Sequence, residues 1–375
     1  MQQLTGVDTL FLTQESERTP LHISALLIYD PSTAEGGKVR FKEILRLFKS
    51  RAHLAPIFRR RLVEVPFGLD YPYWVEAEDF DVEFHVRHIA LPKPGDWRQL
   101  CIQVSRLHSR PLDRSHPLWE AYVIEGLDRV EGLPPGCFAL FLKMHHAAID
   151  GVSGTEIIGA INDTEPYASP RHDEAESERR VEPPPNPLSL LGRAWFSNLR
   201  QPGKLVQTIG ELAPALKRVR EGLRENRFRA IRERVNTRFN GRVGAHRAVD
   251  TCFFPISSIK AIKDLVPGAT VNDVVVTIVA GGLRKYLLAK DELPDVSLVA
   301  GAPINVRTAE DRGSGGNLIS MMTLAIYTDI ADPLERLHQV HEECASSKEY
   351  SNAVGARTLT DLTQTIPPRL AALGF

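Results

Sequence analysis

Close pairs of cysteines are missing from this chain. Its four cysteines, Cys101, Cys137, Cys252 and Cys344, stand far apart with no C-x-x-C spacing, which argues against a zinc knuckle or a secreted disulfide framework and fits a reducing cytoplasm. A surplus of one charge is missing too. The 46 basic and 47 acidic residues leave a formal net charge of -1, without the basic excess that nucleic-acid binding normally needs. No apolar run reaches membrane length, since the longest, "VVVTIVAGGL" at 274–283, is about half a span. The opening "MQQLTGVDTLFLTQ" has neither a basic n-region nor a long apolar h-region, so no export signal is expected there. Several catalytic signatures are also absent: a G-x-S-x-G elbow, a Walker A loop, a G-x-G-x-x-G fingerprint and an H-E-x-x-H zinc helix. The expected setting is cytoplasmic, soluble or peripheral.

What is present fills more than one core, because 375 residues exceed what a single hydrophobic core usually supports and 43% of them are hydrophobic. Residues 165–187, "EPYASPRHDEAESERRVEPPPNP", combine proline and charge with almost no large apolar residues, the composition of a linker or exposed crossover. Before it, "LHISALLIYD" predicts a strand, "FKEILRLFKSRAHL" an amphipathic helix, "GCFALFLKMHH" a buried strand and "GTEIIGAI" the start of a helix. After it, "VDTCFFPIS" predicts a strand and "SSIKAIKDL" a short helix. "TVNDVVVTIVAGGLRKYLLAK" predicts a long helix opened by Thr270 or Asn272, and "VSLVAGAPINV" another strand. The pattern is mixed α/β in two halves, 1–165 and 245–375, joined by a crossover over 166–244. Within that crossover, Leu205, Ile209, Leu212, Leu216, Val219 and Leu223 form a helical stripe interrupted by Pro214, and residues 204–234 carry nine Lys/Arg against four Asp/Glu. Such a segment packs on the protein's own body with a solvated charged face, or rests on an anionic membrane or lipid-droplet surface.

The string that carries chemistry is "KMHHAAIDGVSG" at 143–154. On a strand over 138–146, Phe138, Leu140, Leu142, Met144 and His146 share one face and His145 takes the other, so the two histidines cannot readily share a metal, and no metal is expected. A single histidine at a strand end can accept a proton from a hydroxyl or thiol. Gly151 permits a tight turn and close approach of substrate to backbone, and Asp150 either orients the histidine or pairs with an arginine to hold the loop. A bare His-His pair is ordinarily a satisfied core or surface pair, and it is the longer H-H-x-x-x-D-G string that sets this one apart. A base without a nucleophile of its own implies that the substrate supplies one. Direct acyl transfer fits, an acceptor hydroxyl attacking an activated thioester.

Other strings stand beside this motif: "LTGVDTLFL" at 4–12, "TPLHISALLIYD" at 19–30, the block at 58–95, "PLDRSHPLWEAYVIEGL" at 111–127, "GATVNDVVVTIVAGGLRKYL", "APINVR" and "GNLISMM". Together they resemble the bacterial wax ester synthase/diacylglycerol acyltransferases, a family of the CoA-dependent acyltransferase superfamily with its H-x-x-x-D-G motif. The first two strings resemble the family's opening strand, and the likeness covers nearly the whole chain outside the linker and the basic segment.

The resemblance implies an α/β (α+β) fold of two chloramphenicol-acetyltransferase-like domains with mixed sheets and a substrate tunnel between them, His146 at its middle. It implies His146 as general base, His145 as a residue that shapes the site, and Asp150 as a structural residue with Arg307 as its partner. Pro117, Leu118 and Trp119 would shape an acyl or alcohol channel, core packing being the plainer role; Asn272 and Asp273 would help form the cleft, helix capping being theirs. The substrates implied are acyl-CoA with diacylglycerol or a long-chain alcohol, no cofactor beyond that acyl donor, at the cytoplasmic side, free or peripheral at the inner membrane or lipid bodies. Carrier-protein-dependent condensation and a non-catalytic lipid-surface protein of the same fold are the alternatives. The family's second half continues through an N-V-P-G-P block with no counterpart here, so the 245–375 unit is expected to be incomplete.

Overall fold

The computed structural model of the chain describes residues 1–149, 154–165, 183, 185–197, 235–305 and 319–354. Helix α1, Gly6–Gln14, opens on a reciprocal capping box in which the Thr5 side chain accepts from the Asp8 amide and Asp8 accepts from the Thr5 amide. This corrects the expectation of a strand over 4–12: the capping box nucleates a helix at the point where apolar content alone is ambiguous.

The main sheet has four strands in the order β2–β7–β6–β5, with β2 His22–Tyr29, β5 Val86–Ala90, β6 Trp119–Glu125 and β7 Phe138–His145. All neighbours run antiparallel except β5 and β6, whose parallel pairing requires a crossover, supplied by α4, Trp97–His108. Between β2 and β5, α2 spans Phe41–Arg51 and α3 Val82–His85. A small antiparallel sheet, β1 Gln2–Gln3, β4 Tyr73–Glu76 and β3 Arg60–Val63, flanks the main one.

Alternation along the strands sorts the core onto two faces. Trp119, Ala121, Val123, Leu140, Leu142 and Met144 pack against Ile44 and Phe48 of α2 and against Ile157 and Ile161 of α5, Gly154–Ile161. Tyr122, Ile124, Ala139 and Phe141 pack against Leu100, Val104 and Leu107 of α4. Every residue of β7 is buried, as expected for a central strand covered on both faces, and this is why its sequence reads as a continuous apolar run. Its face assignments hold from Phe138 to His145, but the strand ends there. His146 begins a 3-10 turn, His146–Ala148, and so leaves the alternation expected of it.

A helix over 187–197, α6, precedes the second half. There α7, Ile256–Lys263, and α8, Val271–Leu288, lead into the hairpin pair β8 Val299–Asn305 and β9 Ile319–Ala325, then α9, Pro333–Val354. Ala280, Leu287, Leu298, Leu324, Ile326, Val340 and Cys344 form its core. Thr270, not Asn272, is the N-cap of α8, closed into a capping box by Asp273. The expected strand "VDTCFFPIS" is not formed. Residues 246–255 are irregular, Phe253 is 77% exposed, and no strand among the described residues lies alongside to satisfy its backbone before α7 starts after Pro255.

Candidate acyl-transfer site

The site is built where β7 ends. The His145 amide donates to the Leu118 carbonyl (2.9 Å) and the His146 amide to the Leu21 carbonyl (2.9 Å), so both neighbouring chain segments fix the backbone that carries the two rings. The His145 side chain is fully buried, and its Nδ1 accepts from the Ala147 amide at 3.1 Å. That nitrogen therefore carries no proton, which leaves the proton on Nε2, facing Glu15 Oε2 at 3.4 Å. This approach is longer than a regular hydrogen bond. Arg114 holds the same carboxylate from the side, with Nη2 2.7 Å and Nε 3.2 Å from Oε2, while Oε1 accepts from the Leu21 amide at 3.1 Å. Burial raises the Glu15 carboxyl, but His145, Arg114 and the Leu21 amide outweigh it and hold the group down to about 2, fully ionised at neutral pH.

His146 turns out of the strand and is half-buried. Its ring stacks on Phe11 of α1, centroids 4.0 Å apart and planes 22° from parallel. Burial pushes the imidazole below its ordinary value. Its own backbone carbonyl opposes this, and His145 adds to it, so the ring is neutral at physiological pH. The carbonyl favours the charged form without being placed as an acceptor: Nδ1 is buried and has no regular hydrogen bond among the described residues. A neutral, half-buried imidazole at a strand end can take a proton from a hydroxyl held against it.

The remaining expected residues fall into two sets. Pro117, Leu118 and Trp119 are buried directly beside the motif. Leu118 supplies the carbonyl that holds His145, and Trp119 donates Nε1–H to the Phe58 carbonyl (3.0 Å) while stacking on His85 at 4.6 Å. Asn272 is exposed at the start of α8, whereas Asp273 is 1% exposed, accepts from the Thr270 amide (2.8 Å) and lies 2.9 Å from His341 Nδ1. Asp150, Gly151, Arg307 and the basic segment 204–234 lie outside the described residues.

Sequence reasoning missed Glu15, Arg114 and Phe11, and also a second buried network behind the site. There the fully buried Lys143 Nζ lies 3.0 Å from Glu120 Oε2 and donates to the carbonyls of Leu107 (3.2 Å) and Arg110 (2.9 Å) at the end of α4. Glu120 also accepts from the Tyr122 hydroxyl, which in turn accepts from Arg87, each at 3.0 Å. A lone lysine inside "FALFLKMHH" was the available signal, since a charge in a doubly covered strand needs a buried partner. Glu15 and Arg114 give no such signal, because they are 99 residues apart in the chain. Among the described residues no group of three His, Cys, Asp or Glu side chains is placed to hold a metal, and no helix is long and apolar enough to cross a membrane. An apolar groove of about 600 Å³ runs between α8 and β8, lined by Val275, Val279, Leu283, Leu298, Ala300 and Leu324 among others.

A sheet covered on both faces, ending in a histidine turn, has its likeness among acyltransferases of the chloramphenicol-acetyltransferase-like fold. The first condensation domain of a calcium-dependent antibiotic synthetase shares that fold, with a TM-score of 0.54 at 14% identity over 93% of this chain and 75% of that one. The wax ester synthase/diacylglycerol acyltransferase from Marinobacter aquaeolei VT8 matches with a TM-score of 0.59 at 26% identity, over 99% of this chain and 79% of its own. Residues 4–275 match the wax ester synthase/diacylglycerol acyltransferase catalytic domain, and residues 315–375 match the C-terminal domain of the same family. A Mycobacterium tuberculosis H37Rv protein provisionally named a diacylglycerol O-acyltransferase is 35% identical over 346 residues, 92% of this chain and 73% of the relative. The tgs2 protein of the same strain, whose name carries the same activity with the same reserve, is 33% identical over 369 residues, 98% of this chain and 76% of the relative. The chain belongs to the wax ester synthase/diacylglycerol acyltransferase family and is an acyltransferase.

Proposed function

We propose that the chain transfers a long acyl group from acyl-CoA directly to the hydroxyl of diacylglycerol, forming triacylglycerol, or of a long-chain alcohol, forming a wax ester, with His146 as general base. The observation that carries the reading is the His146 ring, delivered by a doubly covered strand, stacked on Phe11 and held neutral. In this mechanism the imidazole takes the proton of the acceptor hydroxyl as its oxygen attacks the thioester carbonyl. The tetrahedral intermediate collapses with cleavage of the carbon–sulfur bond, and the departing thiolate of CoA recovers that proton from the imidazolium. The apolar groove beside α8 is of a size that takes a single hydrocarbon chain. The described residues hold no G-x-S-x-G or cysteine nucleophile at this turn, which supports transfer without an acyl-enzyme.

Incubation of the purified protein with radiolabelled palmitoyl-CoA and either dioleoylglycerol or hexadecanol tests the reading. Labelled triacylglycerol or wax ester is expected, with CoA release dependent on the acceptor. CoA release without acceptor would show a hydrolase instead, and no turnover with either alcohol would remove the assignment. The basic stripe at 204–234 is proposed as the contact with lipid surfaces; replacing Arg220, Arg224, Arg227 and Arg232 with Gln should weaken flotation with anionic vesicles at low salt.

A further inference from the structure

Glu15 sits immediately after α1, at its C-cap, with a side chain only 9% exposed, and its two oxygens do different work. Oε2 lies against the proton-bearing Nε2 of His145, whose Nδ1 holds the Ala147 amide and so closes the turn that starts at His146. Oε1 holds the Leu21 amide, and the carbonyl of the same Leu21 holds the His146 amide. One carboxylate thus faces the ring of the first histidine and is linked through Leu21 to the backbone of the second. Arg114 keeps it in place and ties it back to α1, since its Nη2 also donates to the Leu12 carbonyl at 2.7 Å. From the same helix, Phe11 lies on the His146 ring.

We infer that Glu15 is a positioning residue for acyl transfer, acting through His145 and Leu21 to fix the orientation of His146. The inference rests on His146 being the base. A helix-end ion pair that served only stability would make the Glu15–Arg114 contact but would have no reason to face His145 and to hold the residue that anchors His146. The Ala147 amide sets the His145 tautomer at Nδ1, and the Glu15 carboxylate faces the Nε2–H that this leaves.

The test uses the full chain with Glu15→Gln, which keeps the size and an acceptor oxygen but removes the charge, and Arg114→Lys, which keeps charge while losing the two-nitrogen grip. Misplacing a reacting group by about 1 Å through a remote change can cost about 100-fold. The expected result for Glu15→Gln is a fall in kcat of that order with KM for both substrates within about twofold, measured well below the melting temperature. Selective 15N labelling of the histidine rings gives a readout that pure stability would not move. The His146 ring signals, which report its packing on Phe11, should shift or broaden in Glu15→Gln, while His145 keeps in both proteins the Nε2–H tautomer that the Ala147 amide sets. An unchanged kcat in Glu15→Gln, or unchanged His146 ring signals, would overturn the inference. His146→Ala measured alongside separates the two failures. Activity surviving His146→Ala removes the base assignment and this inference with it, whereas activity lost in His146→Ala but kept in Glu15→Gln removes the inference alone.

Discussion

Acid should unfold this protein through two buried histidines before its carboxylates titrate. His22 and His85 are 7% and 1% exposed, and burial, the dominant cause in each, lowers both imidazoles from 6.5 to about 4. In each case a backbone carbonyl opposes the shift, that of His108 for His22 and that of Trp119 for His85. Because the folded values lie below the unfolded ones, the stability is fully present above pH 6.5 and is lost as pH falls toward 4. One proton linked to unfolding is worth about 1.4 kcal/mol per pH unit, so the pair together should remove about 4 kcal/mol between pH 7 and pH 5. His108 and His146 are lowered in the same direction and add to this. At urea slopes of about 1–3 kcal/mol per molar, the unfolding midpoint should drop by more than about 1 M across that interval. Fluorescence is a suitable probe, since Trp119 is buried and stacks on His85 itself. His85→Gln keeps a donor near the Trp119 carbonyl but removes one titrating group, and should roughly halve the dependence on pH. A midpoint that stays flat between pH 7 and pH 5, or a His85→Gln variant with the full wild-type dependence, would refute the reasoning.

Three other outcomes follow from the same geometry. Lys143→Met removes the nearer of the two cations facing Glu120, leaving Arg87 at 3.6 Å and the Tyr122 hydroxyl, and should cost up to about 3–5 kcal/mol by urea titration, while Lys143→Met with Glu120→Gln should cost less than the single change. Phe11→Ala removes the surface on which His146 stacks and should lower kcat about 10- to 100-fold through misplacement of the base, with a small change in melting temperature. Below pH 4.5 a second acid transition is expected, because Glu15, depressed to about 2, contributes stability that is lost as pH falls from 4.5 toward 2; Asp113 and Asp273 are depressed in the same direction, so Glu15→Gln should shrink that limb in a pH titration of the melting temperature without removing it.

Local physics decided which elements could be read in advance. Helix α8 was legible because Thr270 and Asp273 stand at capping-box spacing ahead of an apolar stretch, and β7 because a strand covered on both faces must be apolar throughout. The histidine turn stands out in the sequence as a candidate for chemistry, but its geometry does not follow from the sequence. His146 was placed on the strand face with Met144, whereas the Ala147 amide captured by His145 Nδ1 ends the strand one residue earlier. At 4–12 the family likeness pointed to a strand and the Thr5–Asp8 box made a helix. At 249–257 β-forming residues were present, yet a strand needs a neighbour, and none of the described residues offers one. Glu15, Arg114 and the Lys143–Glu120 pair could not be found from spacing, since each contact joins segments that meet only in the folded chain. Asp273 shows the opposite case, where the capping role read from its position is the role its oxygens perform.

The central claim is that His146 removes the proton from the acceptor hydroxyl, and the most direct measurement is the turnover of His146→Ala with palmitoyl-CoA and dioleoylglycerol, checked by circular dichroism and a melting curve for an intact fold. Loss of a general base costs about 100- to 10,000-fold, so kcat should fall by at least two orders of magnitude while the far-ultraviolet spectrum is unchanged. Turnover within a few-fold of wild type in a folded His146→Ala protein would contradict the account.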